Sequence, residues 1–311
     1  MLMRVYFALI LLLALAPTSW RVANAQAPAP APAGRTTKVA SLLDQDKAVF
    51  GLIANFGGDG GAPIDAIGHS KNPNLDFVMY DLEHSPFDVA SMRTYMQFLL
   101  DPAAIAAAGS TNVVKTVVVR IGAYGRELDK NTWMVKNVLD SGAQGVVFPF
   151  IESPEQAFTA VKAMRYAQKP GTPIEGLRGF AGPAPERFWG LSLPEYLQRA
   201  GIWRLEPKGE LIPWLLIETR AGVEHVREIA RQLHDQHVGA ILWAGTGDMG
   251  ASYQGDQKAV DAGVDTILAA GKEFGLPVAM NGSANVKQRI SQGARVFIGG
   301  ATPAARQEAG R

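Results

Sequence analysis

The chain of 311 residues contains no cysteine, which excludes disulfide bonds, thiolate catalysis and cysteine metal sites. It also lacks an excess of either charge, because 30 basic and 29 acidic residues leave a formal charge of +1. Proteins that bind nucleic acid or an anionic membrane surface usually carry a clear basic excess. These absences favour a small-molecule ligand, with no nucleic acid partner and no stable membrane association.

Long hydrophobic runs are lacking except near the start of the chain. Met1 to Arg4 form a short positive segment, and residues 5–16 form an apolar stretch too short to span a bilayer comfortably. Ala23-Asn24-Ala25 supplies the small residues that a signal peptidase requires, with cleavage before Gln26. We therefore predict a signal peptide over residues 1–25 and an exported, periplasmic protein. An uncleaved membrane anchor is the alternative.

The rest of the chain predicts a linker followed by one folded domain. Residues 26–36 are rich in proline and alanine, as in extended linkers, and residues 37–311 are long enough for one large domain. Strand-like apolar runs alternate there with helical patterns, which predicts a parallel sheet with helical crossovers. The predicted strands are residues 49–55, 76–81, 116–121, 145–150, 213–218, 239–244, 276–281 and 295–299. Eight such units over this length predict an α/β fold, a (β/α)8 TIM barrel, in a single domain.

Two of the intervening segments show clear helical signals. Ser153-Pro154-Glu155-Gln156 combines a capping serine, a proline in the first turn and a glutamine three positions after the cap. Val223, Val226, Ile229 and Leu233 recur at helical spacing and predict an apolar face that packs on the barrel. The long gap between the fourth and fifth strands includes residues 178–189, and an excursion of this kind is often an active-site loop or an oligomer contact.

Ionisable residues follow four of the predicted strands at their carboxyl ends. They are Asp81, Glu83 and His84 after the second strand, Arg120 at the third, Glu218 at the fifth and Asp248 after the sixth. The active sites of TIM barrels lie at this end, so we expect these side chains to converge on one mouth. No lysine ends a predicted strand, which argues against an enzyme that forms a Schiff base. Electrophilic assistance would then have to come from a metal ion.

Glu218 and Asp248 lie on neighbouring strands and could form an oxygen-rich site. Carboxylates suit Mg²⁺ or Mn²⁺, with water and substrate completing an octahedron. The structural alternative is that these residues only begin or cap helices, as acidic residues often do. Because both stand at matching strand ends, we favour the metal site.

The second and third strands supply the other candidate catalytic residues. His84 is a candidate base whose ring Asp81, three residues earlier, would orient, although a lone histidine is more often structural. Strand alternation can direct Glu83 elsewhere, and it is as readily structural as catalytic. Arg120 follows three valines and is costly to bury without an anion. It would hold a substrate carboxylate or a developing enolate oxygen, or form a salt bridge with a barrel carboxylate.

The segment Gly245-Thr246-Gly247-Asp248-Met249-Gly250 formally matches a dinucleotide-binding fingerprint. It places an acid where phosphates would lie, and Tyr253-Gln254-Gly255 follows in place of a clear helix. We therefore disfavour an enzyme that uses a nicotinamide cofactor.

The order of these motifs is similar to that of one known family. The matching motifs are Asp81-Leu82-Glu83-His84, Val119-Arg120, Gly142-Ala143-Gln144-Gly145-Val146, Arg178-Gly179, Leu216-Ile217-Glu218-Thr219 and Gly247-Asp248. Together they resemble the metal-dependent class II pyruvate aldolases of the HpcH/HpaI aldolase/citrate lyase family, over nearly everything after the linker. That family includes 4-hydroxy-2-oxoheptanedioate and 2-dehydro-3-deoxyglucarate aldolases. The chain departs from the family at Leu216, where glutamine is frequent, at residues 245–250, and in its export signal.

The resemblance implies a (β/α)8 barrel that assembles as a homo-oligomer, a trimer or hexamer. It implies a divalent metal ion (Mg²⁺, Mn²⁺ or Co²⁺) on Glu218 and Asp248, Arg120 as the enolate-stabilising residue, and His84 with Asp81 as the proton-transfer pair. The implied reaction is cleavage of a 4-hydroxy-2-oxo acid to pyruvate, or a related 2-oxo acid, and an aldehyde. An exported, non-catalytic barrel that binds an oxo acid or sugar acid is the alternative, favoured by the export signal and the altered loop 245–250.

Overall fold

Eight short strands pair in parallel in sequence order, and the last pairs with the first to close a barrel in this computed structural model. The structure describes residues 34–58, 60–167, 174–180 and 182–311. The predicted signal peptide and residues 26–33 of the predicted linker lie outside these ranges. The strands are β1 Val49–Ile53, β2 Phe77–Asp81, β3 Thr116–Arg120, β4 Gly145–Phe148, β5 Ile212–Ile217, β6 Ile241–Ala244, β7 Val278–Asn281 and β8 Ala294–Ile298.

Helices connect the strands and form the outer layer of the fold. Within the described residues the α-helices are α1 Lys38–Leu43, α2 Pro63–Lys71, α3 Val89–Leu99, α4 Pro102–Ala108, α5 Thr132–Asp140, α6 Pro154–Met164, α7 Ala184–Trp189, α8 Leu193–Arg199, α9 Arg220–Asp235, α10 Thr246–Ser252, α11 Gln257–Phe274, α12 Val286–Gln292 and α13 Pro303–Glu308. Short 3₁₀ helices span Phe56–Gly58, Thr111–Val113 and Gly125–Lys130. No helix in the described part of the chain is both long and apolar enough to cross a membrane.

The predicted TIM barrel is confirmed, and each predicted strand agrees with an observed strand to within two residues at either end. The differences have local causes. For example, β4 ends at Phe148 because Pro149 has no N–H group with which to continue the ladder. The apolar face predicted for α9 is also confirmed, since Val223, Val226, Ile229 and Leu233 are all buried.

Alternation along the strands separates two apolar cores. Phe77, Met79 and Val118 point into the barrel, where they join Trp214 and Trp243 in one buried cluster. The intervening residues of the same strands point outward and pack beneath the helices in a second cluster. The interior is therefore a packed core rather than a pore, and among the described residues polar side chains enter it only at its ends.

The end of the predicted linker is packed against the barrel. Thr36 is buried, and its amide and hydroxyl groups donate hydrogen bonds to the fully buried carboxylate of Glu210. The amide of Thr37 donates to the same carboxylate at 2.7 Å, and Arg35 forms a salt bridge with Asp44. Packing against the barrel thus begins shortly before residue 37.

Arg178, in the long segment between β4 and β5, is buried among the outer helices. Its guanidinium donates to Asp140 at 3.1 Å and to the hydroxyl of Tyr196 at 3.1 Å, and it lies 4.2 Å from the ring centroid of Tyr166. Asp140 ends α5 and Tyr196 belongs to α8, so this arginine joins elements of the outer layer. Arg178 does not line the cavity at the barrel mouth.

Candidate active site at the barrel mouth

A cavity of about 510 Å³ opens at the carboxyl ends of the strands. Four of the six ionisable residues predicted to converge there line it directly: His84, Arg120, Glu218 and Asp248. The other two, Asp81 and Glu83, lie against Arg120. The predicted convergence is therefore confirmed. Among the described residues lining this cavity there is no lysine.

Asp81 and Arg120 form a buried, bidentate ion pair. The register between β2 and β3 places the two residues side by side, and alternation turns both inward. Arg120 donates from Nε to Asp81 Oδ1 at 3.0 Å and from Nη2 to Oδ2 at 2.7 Å. The backbone of Asp81 is itself fixed by paired hydrogen bonds with the side-chain amide of Asn55. Asp81 thus holds Arg120 in a fixed orientation. This ion pair is the salt bridge with a barrel carboxylate that was one of the two roles predicted for Arg120 from the sequence.

The predicted pairing of His84 with Asp81 is not what the structure shows. Asp81 Oδ1 accepts hydrogen bonds from the backbone amides of Glu83 and His84, while the ring Nε2 of His84 lies 3.2 Å from Glu83 Oε2. Strand β2 ends at Asp81 and the chain then bends, so alternation no longer governs Glu83 and its side chain turns inward. The carboxylate partner of the His84 ring is therefore Glu83.

Glu83 shares a carboxylate-rich environment with Arg120. Its side chain is 7% exposed, and Oε2 lies 3.2 Å from Arg120 Nε. Burial raises the pKa of Glu83 to about 7, which the charge of Arg120 opposes and the charges of Asp81 and Asp248 reinforce. Its carboxyl group can therefore take up or release a proton near neutral pH.

Aromatic rings flank the guanidinium of Arg120. Its Cζ lies 5.7 Å from the ring centroid of Phe56 and 5.8 Å from that of Trp243. The indole N–H of Trp243 donates to Asn281 Oδ1 at 3.1 Å, which fixes that ring. Nε and Nη2 of Arg120 are bound to Asp81, so Nη1 is the nitrogen without a hydrogen bond to any described residue.

Glu218 follows β5 and is 4% exposed. Burial raises the pKa of Glu218 to about 8; the amide of Phe150, which donates to Oε1 at 2.9 Å, opposes this shift, and the charges of Glu83 and Asp248 increase it. Gly245 packs tightly against this side chain, because a Cβ at that position would lie 2.7 Å from Glu218 Cβ and 3.0 Å from Oε2. The site therefore holds a carboxylate that lacks a strong cationic partner.

Asp248 lies in the first turn of α10 and is exposed to the cavity. A short helix, α10, begins inside the glycine segment at Thr246, and residues 253–255 form a turn after it, in place of the clear helix that the fingerprint requires. The acid in the first turn of α10 lies where a dinucleotide phosphate would approach.

Glu218 and Asp248 fit a divalent cation as carboxylate donors. Within the described ranges, no cluster of three or more His, Asp or Glu side chains is arranged to hold a metal ion. Two carboxylates would leave the remaining coordination positions to water and substrate, as magnesium sites commonly do. The raised pKa of buried Glu218, which faces the charges of Glu83 and Asp248, is what a missing positive charge would leave behind.

A closed barrel with charged side chains gathered at the carboxyl ends of its strands is the architecture of a TIM-barrel enzyme. Residues 61–302 match the model of the HpcH/HpaI aldolase/citrate lyase family. The chain belongs to this family, which confirms the predicted resemblance.

Named relatives and a solved structure agree with this assignment. A hydroxypyruvate/pyruvate aldolase from Paraburkholderia phytofirmans is 29% identical over 245 residues, which cover 78% of this chain and 81% of the relative. A 4-hydroxy-2-oxo-heptane-1,7-dioate aldolase from Shigella flexneri is 26% identical over 215 residues, 67% of this chain and 68% of the relative. The crystal structure of an HpcH/HpaI aldolase/citrate lyase family protein from Burkholderia cenocepacia J2315 superposes with a TM-score of 0.65 at 26% identity, covering 85% of this chain and 92% of that one.

Proposed function

We propose that this protein is a divalent-metal-dependent class II pyruvate aldolase. It cleaves a 4-hydroxy-2-oxo acid to pyruvate, or a related 2-oxo acid, and an aldehyde. Family membership and the aldolase names of its relatives support carbon–carbon lyase activity. The observation that carries the proposal is the shared cavity of Arg120, Glu218 and Asp248, which combines one oriented cation with a pair of carboxylates.

Glu218 and Asp248 would hold the metal ion, Mg²⁺, Mn²⁺ or Co²⁺. When bound, such an ion supplies Lewis-acid chemistry at the carboxylate and keto oxygens of a 2-oxo acid. The negative charges of Glu218 and Asp248 favour a cation between them. Little positive charge opposes this, because no lysine or arginine other than Arg120 lines the described part of the cavity.

Arg120 would bind the substrate carboxylate or the enolate oxygen through Nη1. Asp81 occupies its other side, and the rings of Phe56 and Trp243 restrict its movement. A guanidinium held in advance at the place where negative charge develops stabilises the transition state without reorganisation. Asp81 would therefore act as a positioning residue for Arg120 rather than as a proton carrier.

His84 and Glu83 would form the proton-transfer pair. In cleavage, a base removes the proton of the 4-hydroxyl group, the C3–C4 bond breaks, and its electron pair passes into the enolate. Protonation of the enolate carbon then gives pyruvate. His84 lies on the cavity wall with a side chain 42% exposed, and Glu83 can accept a proton from its ring.

Pyruvate release from a panel of 4-hydroxy-2-oxo acids tests this proposal. We expect activity in metal-replete protein, loss after treatment with EDTA, and recovery when Mn²⁺ is added. Activity that survives complete metal removal would contradict metal dependence. Tight binding of the same acids without pyruvate formation would instead favour the non-catalytic binding barrel.

We also propose that the protein is exported to the periplasm. The argument rests on the leader described above, residues 1–25. Mass spectrometry of the protein from a periplasmic fraction should find a mature chain that begins at Gln26. An intact Met1 in a cytoplasmic fraction would contradict export.

We propose, finally, a homo-oligomer, a trimer or hexamer. The described monomer leaves large apolar side chains such as Trp133 and Leu193 exposed, and exposed apolar surface is a common mark of contact with another chain. Sedimentation velocity at micromolar concentration checks this, and a monomer under those conditions would contradict it.

A further inference from the structure

The walls of the mouth cavity differ in character around the barrel. The strands β2, β3, β5 and β6 bring the ionisable residues described above. The neighbouring strands β8 and β1 bring Ile298, Ile53 and the exposed ring of Phe56 to the same cavity. Trp243 on β6 extends the apolar wall beside Arg120. A bound molecule therefore meets both ionisable and apolar side chains, and the rings of Phe56 and Trp243 lie against the guanidinium of Arg120.

The cavity is larger than a three-carbon acid requires. Its volume of about 510 Å³ lies within the range of about 300–1,000 Å³ that is typical of pockets for drug-sized ligands. The oxo-acid half of a substrate would lie next to Arg120, Glu218 and Asp248. The apolar wall is then left for the other half, which becomes the aldehyde.

Charge limits what that second half can be. Arg120 is the single lysine or arginine among the described residues that line the cavity, and Asp81 already neutralises much of its charge. One carboxylate, that of the oxo acid, can use its free Nη1. A second carboxylate would find no further lysine or arginine on the described walls and would lie close to Glu218 and Asp248, which repel it.

We propose that the aldehyde produced by this enzyme, or accepted in the reverse direction, is uncharged and apolar, either aliphatic or aromatic. This inference rests on the aldolase function proposed above and names its substrate class. It distinguishes this chain from an enzyme for a heptane-1,7-dioate, whose substrate carries a carboxylate at each end.

The test uses aldol synthesis with full-length protein, Mn²⁺ and pyruvate. Pyruvate loses a methyl proton, its C3 bonds to the aldehyde carbon, and the aldehyde oxygen takes up a proton to give a 4-hydroxy-2-oxo acid. Butanal and succinic semialdehyde form a matched pair, because they have the same chain length and differ in a terminal methyl against a carboxylate. We expect kcat/KM to be at least about tenfold higher for butanal, and benzaldehyde to be accepted as well. An equal or higher value for succinic semialdehyde would overturn the inference.

A charge-adding variant provides a second measurement. Phe56 is 57% exposed, so Phe56→Arg can place a cation in the cavity without filling a packed core. Because Phe56 also flanks Arg120, the readout is the ratio between the two aldehydes and not the absolute rate. We expect it to shift the ratio of kcat/KM toward succinic semialdehyde by about tenfold or more. Phe98, which is 46% exposed on α3, offers the matched control, since Phe98→Arg adds the same charge away from the mouth and should leave the ratio unchanged. An unchanged ratio in Phe56→Arg would count against the inference.

Exchange of the pyruvate methyl protons in D₂O, followed by NMR, distinguishes failure of the aldolase proposal from failure of the proposed aldehyde preference. This exchange needs enolate formation but no aldehyde. Exchange together with a preference for succinic semialdehyde would overturn the inference and leave the aldolase proposal standing. Absence of exchange in metal-replete protein would overturn the aldolase proposal and this inference together.

Discussion

The two ends of the barrel each bury a carboxylate, and they compensate its charge differently. At the amino end, the side chain of Asp76 is 0% exposed and is surrounded by Lys38, Arg306 and Arg311 at 2.7–3.1 Å. The amide of Phe50 also donates to it at 3.0 Å. Burial alone would raise the pKa of Asp76, but the hydrogen bond from Arg311 and the charges of Lys38 and Arg311 hold that pKa below its usual value.

At the carboxyl end, Glu218 has the backbone amide of Phe150 as its hydrogen-bond donor and faces other acids. Burial and the charges of Glu83 and Asp248 raise the pKa of Glu218 to about 8, and the charge of Arg120, which lowers it, is too weak to cancel them. At the amino end, side chains of the same chain thus compensate the buried negative charge of Asp76. At the mouth, the described side chains do not supply enough positive charge to compensate Glu218. A complete cluster indicates a structural role, and a deficient one indicates a site for a cation.

Glu218→Gln is expected to have the largest effect, and it tests whether the uncompensated carboxylate at the mouth holds a cation. We expect pyruvate release to fall by at least about 10³-fold, because one of two metal-binding carboxylates is lost. The melting temperature of the metal-free protein should not fall, since the substitution removes a buried acid that is costly to ionise. Activity within tenfold of the original protein, with metal still required, would show that Glu218 does not hold the ion.

Asp76→Asn should have the opposite profile at the other end of the barrel. Removing the negative charge leaves three partly buried cations without their shared carboxylate, so we expect the free energy of unfolding to fall by about 3 kcal/mol at pH 7. Asp235→Asn, at an exposed ion pair with Arg231, is the matched control and should cost under about 1 kcal/mol. Urea unfolding measures both. Activity per folded molecule should be retained in Asp76→Asn, and a specific loss of turnover there would contradict a purely structural role.

The pH dependence of the stability difference between the original protein and Asp76→Asn follows from the direction of the pKa shift of Asp76. The pKa of folded Asp76 is below its usual value of 3.8, so the folded state favours the ionised form. The stabilisation is fully present above that usual value and is lost as the pH falls through the lower, folded-state pKa. The stability gap between the original protein and Asp76→Asn should therefore close in acid, and a gap that is constant down to pH 2 would refute this account of Asp76.

Arg120→Lys tests whether the orientation of the cation matters at the mouth. A lysine keeps the charge but cannot bind Asp81 through two parallel hydrogen bonds while presenting a third nitrogen to the substrate. We expect kcat to fall by about 10²-fold with a smaller change in metal affinity. The conservative control is Arg231→Lys on the exposed face of α9, which should behave like the original protein. Equal activity in Arg120→Lys would show that charge alone suffices.

The smallest effect is expected in the pH dependence of metal affinity. Because the pKa of Glu218 is about 8 without an ion, the carboxyl group is mostly protonated at pH 7 and must release its proton when a cation binds. Apparent Mn²⁺ affinity should therefore increase by up to about tenfold per pH unit toward pH 8 and then level off. Calorimetry in buffers of different ionisation enthalpy would detect the released proton. Affinity that does not change between pH 6 and pH 8 would contradict the raised pKa.

Much of the fold could be predicted because it depends on local patterns. Apolar runs such as residues 116–119 mark strands, and their alternation with helical segments determines a barrel. The position of Arg120, Glu218 and Asp248 at one mouth follows from the same reasoning. The pairing of Asp81 with Arg120 was within reach too, since both end neighbouring strands that a barrel places side by side.

Other parts of the site depend on geometry that the sequence pattern does not carry. Glu83 lies just after the end of β2, where the chain bends and the alternation rule no longer applies. Its contact with His84 therefore depends on the conformation of this bend, which the sequence pattern does not determine. Trp243 on β6 and Phe56 in the 3₁₀ helix after β1 flank Arg120 from positions distant in the sequence, and their proximity arises only when the barrel closes. Both were missed because aromatic residues near strand ends are usually part of the core.

The central claim is that Glu218 and Asp248 share a divalent ion, and a crystal structure of the protein soaked with Mn²⁺ and pyruvate tests it most directly. We predict an anomalous scattering peak within about 2.5 Å of a carboxylate oxygen from each residue, with pyruvate bound beside it and reaching Arg120 Nη1. A peak elsewhere, or none in crystals that still convert substrate, would contradict the account.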